Sequence, residues 1–93
     1  MSSKITNHDL DESVMAKQTI SLPVSSWSGN SQTVTCNGVT TGNTVIVSSA
    51  PSSQNAYGKA NVRCTAQASN SLTFACDRTP ETDLTVNIVI LGV

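Results

Sequence analysis

The chain has 93 residues, a formal charge of −1 and only three aromatic side chains, Trp27, Tyr57 and Phe74. A chain of that length makes one domain and buries only about 60% of its unfolded surface. Its near-neutral charge argues against nucleic acid or an anionic membrane as partner, because both ask for a basic patch.

The N-terminal segment holds much of the charge. Lys4, Asp9, Asp11, Glu12 and Lys17 crowd there, whereas residues 18–57 contain no Asp, Glu, Lys or Arg. Thr6-Asn7-His8-Asp9 fits a capping box, with a hydroxyl and a carboxylate three residues apart for the free first-turn N–H groups. Leu10 and Val14 lie one helical turn apart. Residues 1–17 are therefore read as a leader with a short helix, or as a frayed linker. Such a helix is too short to stand alone in water and needs a surface or partner helices. No apolar stretch of the kind that a secretory signal needs follows Lys4. No hydrophobic run approaches the roughly 20 residues of a membrane-spanning helix. The expectation is synthesis in a cytoplasm without membrane insertion, with delivery to the outside open as part of a particle or as a fragment of a longer chain.

From residue 18 the chain reads as all-β, a region 18–93 of about six to seven strands forming a small antiparallel sandwich or barrel. Ile20 and Leu22 alternate with Thr19 and Ser21 up to Pro23, which ends a strand or marks an edge. Residues 25–31 are loop chemistry around Trp27. Residues 32–37 alternate again with Val34 and Cys36 inward, and Asn37-Gly38 is a strong turn signal. Thr44-Val45-Ile46-Val47-Ser48 is β-branched at its centre and is a strand. Residues 50–60 form a longer connection with one helical turn around residues 54–59. Residues 61–68 place Val62, Cys64 and Ala66 on one face. Leu72, Phe74 and Cys76 follow after a short loop, so these two strands make a hairpin. A charged loop, residues 77–83, leads into the last strand. There Leu84, Val86, Ile88 and Ile90 share one face, because side chains alternate with period 2. Thr85 and Asn87 share the other face with Val89 and Leu91, so the strand ends apolar on both sides. In a small chain such a strand is central to a sandwich or covered by another subunit.

No catalytic set is visible. Cys36, Cys64 and Cys76 are in phase with the inward faces and read as three free thiols. A hairpin closing on Ser69-Asn70-Ser71 would instead set Cys64 opposite Cys76. The one histidine, His8, lies in the leader, too far from the cysteines for a zinc site and too loosely held for a triad. Asp9, Asp11 and Glu12 lack the following ligands and the glycine of a calcium loop. Glu81 and Asp83 sit together on a loop rather than across a cleft. No glycine-rich phosphate loop occurs. No cofactor or metal is expected, and no enzyme activity. Trp27, among Ser and Gly, is either an anchor for the core or a sugar-stacking platform. The 14 Ser, 12 Thr and 8 Asn suit a virion or extracellular surface, or an oligomer that desolvates no charge.

Several stretches resemble a recurrent β module of bacteriophage fibre proteins from phages of Gram-positive hosts. They are Trp27-Ser28-Gly29, Gln32-Thr33-Val34-Thr35, Gly38-Val39-Thr40, Asn43-Thr44-Val45-Ile46-Val47, Ala50-Pro51, Ala56-Tyr57, Val62-Arg63-Cys64, Ala66-Gln67, Leu72-Thr73-Phe74 and Leu84-Thr85-Val86-Asn87. The likeness spans about residues 20–92, and residues 4–16 look like the short helical segment that precedes such modules. What it implies is a non-enzymatic structural protein of the virion, a homotrimeric head-fibre or tail-fibre module that faces the host surface and contacts capsid or tail proteins. It brings no catalytic residues. On that reading Val89, Leu91 and Val93, with Leu10 and Val14 of the leader, meet neighbouring subunits, and Trp27 is the candidate for contact with a host-surface glycan. A capsid decoration protein and a monomeric carbohydrate-binding module are the rival expectations.

Overall fold

A computed structural model describes residues 15–92 of the chain. Six strands and one short helix follow in order: β1 (Met15–Leu22), β2 (Ser31–Thr35), β3 (Thr44–Ser49), α1 (Gln54–Lys59), β4 (Arg63–Ala68), β5 (Ser71–Ala75) and β6 (Leu84–Leu91). The strands form two three-stranded antiparallel sheets. The first has the order β1-β6-β3 and the second β2-β5-β4.

The last strand is the centre of the first sheet. Leu84, Val86, Ile88 and Ile90 are all fully buried, as the alternation demands. Leu72 and Phe74 of β5 answer them from the second sheet. These residues share one core cluster with Leu22, Cys36, Val39, Val62 and Cys76. Burying a Leu, Ile or Phe side chain contributes about 1.5–3 kcal/mol. The two central strands therefore supply most of what this small core has.

Turns are set by residues that tolerate positive φ. Gly29 and Asn30, with φ of 60° and 63°, make the tight turn into β2, and the Ser28 and Ser31 main chains exchange hydrogen bonds across it. Helix α1 ends in a Schellman motif. Asn61 (φ 53°) donates its N–H to the Gly58 carbonyl, and Val62 donates to Tyr57. Val62 is then carried inward and buried at the start of β4.

Three expectations change. β1 begins at Met15, so residues 15–17 continue the ladder opposite Val89–Leu91 rather than ending a helical leader. The rest of that leader, including Leu10 and Val14, lies outside the described residues, as does Val93. The β4–β5 hairpin closes on two residues, Ser69 and Asn70, with Asn70 at φ 58°. Its register then shifts between Cys64 and Ala66. One extra residue there flips every side chain beyond it. Gln67, not Ala66, faces inward opposite Leu72, while Ala66 stands opposite Thr73. Cys64 pairs with Phe74 rather than Cys76, so the cross-strand cysteine pair does not form, and all three thiols are free. Cys64 faces the core side yet is exposed, because β4 is an edge that the first sheet does not cover.

Candidate functional site

The outer face of the first sheet is built in cross-strand rows. Residues directly opposite in antiparallel strands share a face. One row runs Lys17, Val89, Ile46, and the next polar row runs Thr19, Asn87, Ser48. Leu91 stands opposite Thr44 at the β3 end of the sheet. Thr19 Oγ1 donates to Asn87 Oδ1 at 3.0 Å, which fixes the polar end of this face. At the other end Ile46 is 50% exposed, the one large hydrophobic residue so exposed among the described residues, and half-buried Val89 and Leu91 lie beside it. The sequence reading pointed to Val89 and Leu91 and missed Ile46. The signal was present, since Val45-Ile46-Val47 is apolar on both faces of its strand, just as Ile88–Leu91 is.

A second feature is a cleft of about 310 Å³ between α1 and the loop of residues 78–82. Asn55, Lys59, Arg78 and Glu81 stand at its rim, with Ala56, Ala60 and Pro80 among its walls. Next to the cleft, Asp77 ties the chain after β5 to the end of α1 and the start of β4. Its N–H donates to the Ala60 carbonyl at 2.8 Å, and its carboxylate accepts from Asn61 and Arg63, each at 3.0 Å. Those hydrogen bonds hold the Asp77 pKa below the ordinary carboxylate value, Asn61 being the larger influence.

Trp27 is half-buried and packs against the core. Its Nε1 is buried and has no hydrogen-bond partner among the described residues. The ring thus packs against the core just before the entrance to β2.

Comparison of the chain with protein-family models, with curated proteins and with solved structures gave no match.

The chemistry within reach is limited. No group of three or more His, Cys, Asp or Glu residues stands together as a metal site among the described residues. Burial pushes the thiols of Cys36, Cys64 and Cys76 above their ordinary pKa, so each stays protonated and weakly nucleophilic at neutral pH. Glu81 and Asp83 remain on the exposed loop. Asp83 accepts the Val24 N–H at 2.8 Å and so caps the turn after β1. No helix among the described residues is long and apolar enough to cross a membrane.

Proposed function

We propose that this protein is a non-enzymatic structural component of a bacteriophage particle, a homotrimeric head-fibre or tail-fibre module that works by self-association and display. The observation that carries this reading is the apolar patch of Ile46, Val89 and Leu91 on the outer face of the first sheet. Ile46 with Val89 and Leu91 beside it offers a contiguous apolar surface, and contiguous apolar surface is what subunits cover when they associate. The hydroxyl- and amide-rich stretch of residues 18–57 supports it, because subunits can pack there without desolvating charge. The particle, the three-fold symmetry and the virion location are what the resemblance to phage fibre modules implies.

The test is the solution mass by native mass spectrometry over a dilution series, for the wild type and for Val89→Asp. The expected result is three copies for the wild type and a shift toward single chains for the variant. A wild type that is monomeric at every concentration refutes self-association. A capsid decoration protein would differ by binding assembled capsids stoichiometrically and raising their melting temperature. A monomeric glycan-binding module would differ by retaining cell-wall glycan as a single chain and losing it on Trp27→Ala.

A further inference from the structure

Among the described residues the two sheets have four edges, and these are not alike. An unpaired edge strand is a template for another chain, and proteins blunt such edges with charge, proline, bulges or short strands. β1 carries Lys17 and runs into Pro23. β2 is short, with five residues. β4 begins with Arg63 and is bulged between Cys64 and Ala66. Within its span β3 carries no charge, no proline and no bulge. It is a regular six-residue strand with Val45, Ile46 and Val47 in its middle. Among the described residues, no main-chain hydrogen bond reaches its free edge.

The order of side chains on β3 indicates what the edge accepts. Thr44-Val45-Ile46-Val47-Ser48 reads nearly the same in both directions about Ile46. Laid antiparallel against its own copy with Ile46 at the centre, it sets Ile46 opposite Ile46, Val45 opposite Val47, and Thr44 opposite Ser48. Apolar meets apolar and hydroxyl meets hydroxyl at every step. That is the requirement of a two-fold contact, in which one patch must complement itself. Charge permits it as well. The cation nearest on this face, Lys17, is two strands away beyond Val89. The outer rows of two copies would join as one apolar stripe with a Lys at each far end.

We infer that the free edge of β3 pairs with β3 of a second copy about a two-fold axis, joining two three-stranded sheets into one of six. This goes beyond the trimer reading. It uses the main chain of an edge, whereas the three-fold contact uses side chains of a face.

The experiment places cysteines where the pairing predicts contact, in a Cys64→Ser background so that the native exposed thiol is removed. Thr44, Ile46 and Ser48 are all exposed, so their replacement leaves the core intact. Directly opposed residues in antiparallel strands have Cα atoms about 4.5–5.5 Å apart, within the span a disulfide accepts. Ile46→Cys is expected to cross-link to itself under mild oxidation. A mixture of Thr44→Cys chains and Ser48→Cys chains is expected to cross-link with each other. Thr44→Cys alone is expected to stay uncross-linked, since four residues of offset separate those positions by about 13 Å. A mixture that gives no Thr44-to-Ser48 linkage overturns the inference, even if Ile46→Cys links. Native mass spectrometry separates this outcome from the fate of the trimer. Two copies support the edge pairing and refute the trimer, and six support both. Three copies without the linkage leave the trimer standing and overturn the edge pairing, and single chains overturn both.

Discussion

Replacing Ile88 by Ala tests the assignment of faces on β6. Ile88 is fully buried at the middle of the central strand, between Gln18 on β1 and Val47 on β3. The change removes three carbons, about 2.4 kcal/mol at about 0.8 kcal/mol per buried methylene. Flanking strands on both sides limit collapse into the space left behind, which adds to that loss. A total of about 3–4 kcal/mol falls within the roughly 2–5 kcal/mol of such truncations. A domain of this size holds about 5–14 kcal/mol in all. At about 4–8 °C per kcal/mol, the melting temperature should drop by roughly 12–32 °C. The assays are urea unfolding for the free energy and thermal melting for the midpoint, both followed by the fluorescence of Trp27, the one tryptophan, at protein concentrations where the mass is constant. Val89→Ala, one residue along on the outer face, should cost about 1 kcal/mol or less in the single chain. If Val89→Ala at high dilution is as damaging as Ile88→Ala, or if Ile88→Ala costs less than about 1 kcal/mol, the partition of β6 into a core face and an outer face is wrong.

Ser53→Ala should cost about 1–3 kcal/mol in the same assay, because the buried Ser53 hydroxyl accepts the Thr85 N–H at 2.8 Å and its loss orphans that donor. Asn61→Ala should destabilise by about 1–2 kcal/mol, since Ala is strained at φ 53° where Asn is tolerated. Trp27→Ala should lower stability by about 2–3 kcal/mol, less than a fully buried aromatic, because half of the ring packs against the core. For Asp77 the folded pKa is depressed, so the carboxylate's contribution is fully present above the ordinary Asp range and fades as pH falls through the folded value. Thermal melts between pH 2 and 7 should therefore show a smaller acid-side loss in Asp77→Asn than in the wild type; equal losses would mean that the Asp77 hydrogen bonds to Asn61 and Arg63 add nothing to stability.

Much of this fold was legible because burial follows a simple period. The four inward residues of β6, the strand at Thr44–Ser49, the turn of helix at Gln54–Lys59 and the hairpin around Ser69 and Asn70 all show themselves in alternation or turn chemistry. What remained hidden has physical causes. A bulge is one extra residue with no composition of its own, so the reversal of Ala66 and Gln67 could not be read from a strict period of 2. Cys64 looked inward because its phase is inward, but phase does not say whether an opposing sheet reaches that far. The local pattern around Ile46 marks the middle of a strand but gives that strand no position in the sheet. Its exposure follows from β3 being an edge, which depends on which strands pair and not on local sequence.

The central place of β6 also sets an order of events in the life of the chain. Among the described residues β1 and β3 make no ladder with each other, and both pair with β6, which comes after the other five strands. As the polypeptide is synthesised, the β4–β5 hairpin can close early, since its turn is two residues long. The first sheet has to wait. Until residues 84–91 emerge, β1 and β3 are unpaired, and the apolar middle of β3 is open to any neighbour. Pairings that span the whole chain fold slowly, and unpaired strand edges are aggregation-prone while they wait. A polysome making many copies side by side would bring those waiting β3 strands together.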